Sequence, residues 1–320
     1  MLAYDVFNGD ADGICALAQL RLAEPKESVL ISGIKRDIEL LEQVPLGQAA
    51  TITALDISFD KNRDRVTKLL ASGSSVFYCD HHYAGELPEH PNLTTIINTA
   101  PEVCTSLLIN GFLKGAFAPW AVVGAFGDNL ARSAHALAAT LALSDQQIQL
   151  YSRLGLYLNY NGYGPSLDDL YFHPETLYRA VVECSTPDEF VDGQATIFAT
   201  LAEGYRSDMN EVSALGPEYE SGAAAAYILP NVSWARRVSG VFSNSLVEQH
   251  PNRAHAILTD LGDAHFLVSI RAPLNRREGA DTLARQFATG GGRSAAAGIN
   301  RLPADELPQF LDAFAGAYSL

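Results

Sequence analysis

Acidic residues recur at the ends of the apolar runs in this chain, and that placement constrains its fold more than any other feature. Leu2 to Phe7 reads as a strand and runs into Asn8-Gly9-Asp10-Ala11-Asp12-Gly13. Thr51 to Ile57 reads as a strand with Asp56 near its end, and Val76 to Cys79 as a strand that stops at Asp80-His81-His82. Between these lie helix patterns over Gly13 to Ala23 and Lys61 to Ala71, a strand over Val29 to Ile34 and a short helix over Asp37 to Val44. This alternation predicts an α/β domain with a mostly parallel sheet flanked by helices. In open sheets of that kind ligands bind beyond the carboxyl ends of the strands. A further acid, Asp128, closes the apolar helix expected from Pro119 to Phe126, so several elements deliver carboxylates toward one rim.

Carboxylates crowded together repel one another and resist ionisation. A hard divalent cation such as Mn²⁺ or Mg²⁺, with its preference for carboxylate, water and some imidazole, turns that repulsion into binding. Two such cations clamp a phosphoryl group and acidify a bound water. Asp and Gly after a strand are also ordinary turn residues, but adjacent histidines at a strand end have no common packing role. The spacing after Asp10 lacks the pattern and closing Glu of a calcium loop. No nucleophile elbow, phosphate-binding P-loop, dinucleotide fingerprint or zinc-type Cys/His spacing occurs.

Composition sets limits on partners. With 22 Lys and Arg against 37 Asp and Glu, the chain carries −15 at pH 7, which disfavours coating long nucleic acid by charge alone. Cys15, Cys79, Cys104 and Cys184 sit in apolar runs without CxxC spacing, the pattern of reduced buried thiols. MLAYDVFNGD has neither the basic nor the apolar region of a secretory leader. The longest nearly apolar stretch, Gly115 to Gly127, is too short to span a bilayer. The expectation is a cytoplasmic protein with no membrane partner; a homodimer stays open.

From about Glu102 to Cys184 the pattern is mainly helical. Ser185-Thr186-Pro187 has the form of a helix start, and one helix from Asp188 to about Val212 is expected to link two domains, 1–186 and 216–320, across residues 187–215. The second is a smaller α/β domain: strands over Ala223 to Leu229, Ala254 to Thr259 and His265 to Arg271, helices over Trp234 to Gln249 and Thr282 to Ala288, then Gly290-Gly291-Gly292-Arg293. Residues 253–301 carry seven arginines and four acids. Arginine beside a glycine turn suits a phosphate clamp, which points to Arg271 and Arg293; Arg276, Arg277 and Arg285 read as solvated surface. The segment Tyr157 to Tyr163 reads as a tyrosine-rich loop at a helix end that packs the domains or stacks a base. His173, His250, His255 and His265 read as structural.

Taken in order, Asn8-Gly-Asp10-Ala-Asp12-Gly, Asp56, Asp80-His81-His82 and Asp128 resemble the four motifs of the DHH phosphoesterases. Gly290-Gly291-Gly292-Arg293-Ser-Ala-Ala-Ala-Gly298 resembles the GGGHxxAAG signature of the accessory DHHA1 domain. The resemblance covers nearly the whole chain. It implies two domains with the active site in the cleft between them, and two divalent cations, Mn²⁺ foremost with Mg²⁺ as the other choice. Asn8, Asp10 and Asp56 would hold one cation; Asp12, Asp56, His81 and Asp128 would hold the other, with Asp56 bridging. Asp80 would orient His81 or a water, His82 would face the phosphate, and Arg271, Gly291, Gly292 and Arg293 would bind substrate. Two departures stand out: Asn8 where the family has His or Asp, and Arg293 where the signature has His.

The length and domain plan are most similar to the small oligoribonuclease and pAp-phosphatase branch. The implied function is metal-dependent hydrolysis of phosphoester bonds in short oligonucleotides or small nucleotides, such as pAp or cyclic dinucleotides. The rivals are a RecJ-like exonuclease on single-stranded DNA and a nucleotide-binding protein with an impaired metal centre.

Overall fold

The computed structural model describes residues 2–319. They form two compact units, divided between Glu203 and Gly204. The first contains β1 (Leu2–Phe7), α1 (Ala11–Ala23), β2 (Val29–Ser32), β3 (Ala50–Leu55), α2 (Phe59–Ala71), β4 (Ser75–Asp80), β5 (Leu93–Ile97), α3 (Thr105–Phe112), α4 (Ala118–Gly127), α5 (Ala131–Thr140), α6 (Asp145–Asn161), α7 (Pro174–Val182) and α8 (Pro187–Gly193). The division falls within α9 (Ala195–Ser213).

The five strands make one all-parallel sheet in the order β2-β1-β3-β4-β5. The chain leaves β1 for β2 on one side and returns to β3 on the other, so a crevice opens beyond the carboxyl ends of β1 and β3. Asn8 to Asp12 and Asp56 stand at that switch point. One apolar layer joins α1 to α3, α4, α6 and α7 around Trp120, Leu17, Leu154 and Phe190. The other packs α2 beneath the opposite face around Phe59, Tyr78 and Leu69. Helix α1 is buried on nearly every side from Ala11 to Arg21, as befits a helix covered by the sheet and four further helices.

Arg21 is the one cation in that buried stretch. It is matched by Asp5 on β1: Nε donates to Asp5 Oδ2 at 2.7 Å, and Nη2 reaches both Asp5 Oδ1 and Thr53 Oγ1 (3.0 Å). Ser28 Oγ donates to Asp5 Oδ2 at 2.6 Å. Both charged side chains are at most 5% exposed. The fork ties α1 to the middle of the sheet through directly paired, hydrogen-bonded charges, the condition under which a buried pair is tolerated.

Several sequence expectations shift. Residues 37–44 hold only a 3₁₀ turn at Leu40–Gln43, where Arg65 and Asn62 of α2 supply the hydrogen bonds to the turn. The strand expected to Ile34 stops at Ser32, because Gly33 begins the turn in which Asp37 Oδ2 accepts from Ile34 N. Strand β5, unforeseen, pairs with β4 at the sheet edge. The single helix expected over 188–212 is broken at Gln194 into α8 and α9. Phe190 of α8 is buried against Trp120 in the first unit. Tyr157 and Tyr160 lie within α6, not in a loop.

The second unit contains β6 (Tyr219–Glu220), β7 (Ala224–Leu229), α10 (Ser233–Gln249), β8 (Ala254–Asp260), β9 (His265–Arg271), α11 (Ala280–Ala284), β10 (Gly290–Arg293), β11 (Ala296–Pro303) and α12 (Leu307–Tyr318). Its mixed sheet runs β10-β11-β9-β8-β7-β6. The helix expected over 282–288 sits earlier, at 280–284, started by Gly279 in the left-handed conformation. The glycine run is a strand in a hairpin, not an open turn. Gly292 takes φ +140°, and a Cβ there would meet Ala297 Cα at 2.5 Å. His255 is fully buried with neither ring nitrogen hydrogen-bonded. Burial, helped by Arg253 and His250, lowers its pKa to about 4 and keeps it neutral.

Replacing Asp5 by Ala leaves the Arg21 guanidinium buried without its counter-charge. The expected loss is about 3–5 kcal/mol of stability, read by urea denaturation of the first unit's transition.

Candidate metal centre

Each strand end presents its acid by a distinct local device. After β1 the chain enters α1 with Asp10 as N-cap: Oδ1 accepts from Asp12 N (3.0 Å) and Gly13 N (3.1 Å). Gly9 permits the turn, since a Cβ there would meet Gly33 O at 1.9 Å. Asp12, in the first turn of α1, faces the N-terminus of α3. Its carboxylate accepts from Thr105 N and Ser106 N, both at 2.7 Å, and from Ser106 Oγ. A helix N-terminus is a good seat for a buried anion. Asp56 has φ +58°, left-handed backbone that Asp tolerates better than most residues. Its N–H bonds Cys79 O at 3.0 Å, and its Oδ1 accepts from Thr105 Oγ1 at 3.1 Å. Asp128 caps the end of α4.

Asp80 is fully buried. Its Oδ1 accepts from the His81 backbone N–H (2.8 Å) and from His82 Nδ1 (2.7 Å). The side chain it orients is thus that of His82, and His81 is held through its backbone. Burial alone would depress the pKa of His82, but the Asp80 carboxylate outweighs it and raises the pKa above the ordinary imidazole value.

His81 carries the clearest signature of a metal ligand. Its Nδ1 lies 2.9 Å from Val103 O. A carbonyl only accepts, so Nδ1 bears the proton and a neutral ring leaves a lone pair on Nε2. That Nε2 faces Asp56 Oδ1 at 3.5 Å and Asp128 Oδ2 at 3.8 Å. A lone pair aimed at two carboxylates needs a positive charge between them, either a second ring proton or a metal ion. A backbone carbonyl fixing the far nitrogen is the arrangement that surrounds metal-bound histidines. The ligand atoms of Asp12, His81 and Asp128 lie within 4.8 Å of one another, as do those of Asp56, His81 and His82. This donor set of carboxylates and imidazole fits Mn²⁺ or Mg²⁺.

The electrostatics agree with a cation site. Burial, then the neighbouring Asp12, Asp10, Asp128 and Asp80, push the Asp56 pKa well above the carboxylate range. Burial raises Asp128 to about 6, with Lys35 opposing the rise and Asp12 adding to it.

Lys35, in the loop after β2, belongs to the site and was not singled out from the sequence. Its Nζ contacts Asp10 Oδ2, donates to Asn159 Oδ1 at 2.8 Å and lies 3.8 Å from Asp128 Oδ1. Burial would lower its pKa, but Asp10 and the other nearby groups raise it well above the usual lysine value. Conversely, Asp10 is held below its ordinary value by Lys35 against the effect of burial. The available signal was topological: β2 adjoins β1 in the sheet, so its carboxyl end abuts Asp10. Thr105 and Ser106 were also missed, because only the fold brings the α3 N-terminus beneath Asp12.

The structure thus brings Asp10, Asp12, Asp56, Asp80, His81, His82 and Asp128 to one rim. Asn8 is beside them, but its Oδ1 accepts from Asp10 N (3.1 Å) and its Nδ2 donates to Lys35 O (3.1 Å). Arg271, Gly291, Gly292 and Arg293 belong to the second unit. Ala296 of β11 pairs with Arg271 on one side and Arg293 on the other, so both arginines share one sheet face about 10 Å apart. Arg271 Nη1 donates to Ser269 Oγ at 3.0 Å, and Arg293 is exposed. Arg253, Arg285 and Arg301 pair with Glu220, Asp281 and Asp263, which offsets part of the basic run. All four cysteines are free and buried. Among the described residues no helix is long and apolar enough to cross a membrane.

Neither protein-family models nor curated proteins match this sequence. Solved structures do. The chain is similar to exonuclease RecJ bound to manganese, with a TM-score of 0.65 at 17% identity, covering 98% of this chain and 89% of that one. It is similar to PggH, a pGpG-specific phosphodiesterase from Vibrio cholerae, with a TM-score of 0.59 at 15% identity over 98% and 97% of the two chains. It is also similar to RecJ of Thermus thermophilus in complex with Mn²⁺, with a TM-score of 0.57 at 18% identity, over 98% of this chain and 52% of that one. At such identities the likeness is one of fold. The two-domain α/β fold expected from the motif resemblance is the fold found.

Because Asp56 and Asp128 hold protons to unusually high pH in the metal-free protein, a cation must displace them. Mn²⁺ binding at pH 6 is expected to release protons and to weaken as pH falls below about 6. Calorimetric titration in buffers of different ionisation enthalpy measures the release, and Asp128→Asn should reduce it.

Proposed function

We propose that this chain is a metal-dependent phosphoesterase that hydrolyses short oligonucleotides or small nucleotides, pAp and linear or cyclic dinucleotides among them. The observation that carries the reading is His81 Nε2 directed between Asp56 and Asp128 while Val103 O fixes its other nitrogen. Asp12, Asp56, His81 and Asp128 would hold the cation, with Mn²⁺ favoured by the manganese-bound neighbours of the same fold. Such a cation, when bound, polarises a phosphoryl oxygen and acidifies water.

The chain's own residues do the rest. The α3 N-terminus and Ser106 hold Asp12 ionised and immobile. Thr105 fixes the orientation of Asp56. Asp80 keeps the His82 ring oriented and its proton bound to higher pH than in a free imidazole, so His82 offers positive charge to a substrate phosphate. Arg271 and Arg293 share one face of the second unit's sheet, where two guanidinium groups would suit a phosphate. Four buried thiols suit a reducing compartment and support a cytoplasmic location.

The small-substrate reading draws on the −15 charge, which disfavours a long polyanion, and on the 97% coverage of the PggH chain. The competing reading, a single-stranded DNA exonuclease, draws on the RecJ likeness at TM-score 0.65. Product release with Mn²⁺ from a linear dinucleotide, pAp, a cyclic dinucleotide and a long single-stranded DNA decides between them. The small substrates should turn over fastest. Preference for the long DNA would transfer the protein to the exonuclease reading. Asp56→Ala should lower turnover by about 10³-fold or more while the far-ultraviolet circular dichroism stays unchanged. Retained turnover would remove Asp56 from the metal site.

A further inference from the structure

The residues that the motif resemblance assigns to a first cation do not fit one here. Of that set, Asn8 has both side-chain atoms committed: Oδ1 to Asp10 N and Nδ2 to Lys35 O. Asp10 has Oδ1 on the α1 N-terminus and Oδ2 on the Lys35 ammonium, so a cation already meets its charge, whereas the donors on Asp12 are neutral backbone N–H groups and a hydroxyl. Asn8 also lacks the negative charge that a hard cation prefers. The positive charge at this place is instead built into the chain.

Lys35 is anchored from both sides. Its backbone N–H donates to Gly162 O at 2.8 Å, and its carbonyl accepts from Asn8 Nδ2. Its ammonium has two seated acceptors, Asp10 Oδ2 and Asn159 Oδ1, with Asp128 Oδ1 at 3.8 Å on a further side. It also lies 5.7 Å from the Tyr163 ring centroid, a cation–π distance. Asn8 serves this arrangement, because a carboxylate at residue 8 would lose the N–H that bonds Lys35 O. The two departures from a paired-cation site, a neutral Asn8 and an intruding lysine, are therefore one structural change.

We propose that this chain binds a single divalent cation, held by Asp12, Asp56, His81 and Asp128, and that the Lys35 ammonium permanently takes the place of the second. The inference rests on the metal-dependent reading above. An ammonium neutralises Asp10 and directs positive charge toward the rim, but it cannot share a metal-bound water. Chelators remove the metal charge and leave this one.

The test counts cations. Metal-free protein is titrated with Mn²⁺ and the free ion is read by room-temperature electron paramagnetic resonance, with Asp56→Asn as the control for adventitious surface binding. The wild type should saturate at one site-bound Mn²⁺ per chain and give an uncoupled low-temperature spectrum. The double variant Asn8→Asp with Lys35→Ala should bind two and show spin coupling. Should that variant not fold, Lys35→Arg, which keeps the charge, should still bind one.

Two bound and coupled ions in the wild type would overturn the inference and leave the phosphoesterase reading intact. A double variant that folds yet still binds one ion would overturn the replacement role of Lys35. A wild type that binds no Mn²⁺ beyond the Asp56→Asn control would bring down the metal-dependent reading itself.

Discussion

Like charges packed out of water govern the first unit of this protein. Asp10, Asp12, Asp56, Asp80 and Asp128 converge where β1, β3, β4 and α4 end, most of them nearly without solvent contact. Each needs its own compensation. Asp10 has the start of α1 and Lys35; Asp12 has the start of α3; Asp80 has the backbone of His81 and the ring of His82. Asp56 and Asp128 are the least compensated, and burial and like charges raise both pKa values. Compensation is thus uneven by position, and the residual negative charge lies beside the lone pair of His81. That unevenness distinguishes the rim from a fully compensated polar patch.

Holding such a rim in place requires a rigid floor. The parallel sheet supplies it, and helix α1 sets its height. A helix buried on nearly every side has no amphipathic face to fix its rotation, so rotation is fixed by the Arg21–Asp5 fork at one end and by the Asp10 cap at the other. The same helix carries Asp12 into contact with α3. Stability and the position of the Asp12 carboxylate are therefore determined by the same element, which links packing in the core to the geometry of the rim.

Much of this was legible in the sequence. The strands of the first unit, the acids at their ends and the separate α/β character of the second unit all follow from period and placement. The short edge strand β5 was not, since five residues of moderate polarity carry little periodic signal. The break between α8 and α9 at Gly193-Gln194 was not, since a lone glycine inside a helical pattern is tolerated as often as it ends a helix. The glycine run read as an open phosphate turn is a paired strand, because β11 supplies partners for its backbone.

Residue type and order by themselves determined which chemistry this chain can support. Carboxylates and imidazoles placed after apolar runs are delivered to strand ends wherever the sheet forms, because the apolar runs are buried as strands and the polar residues that follow them fall at the sheet's edge. Which group meets which was decided by tertiary structure alone. The strand order put the end of β2 beside β1, so Lys35 reaches Asp10. Helix packing put the start of α3 beneath Asp12 and Val103 behind His81. These contacts join residues far apart in the chain, and electrostatic energy depends on distance in space, which separation along the chain does not encode.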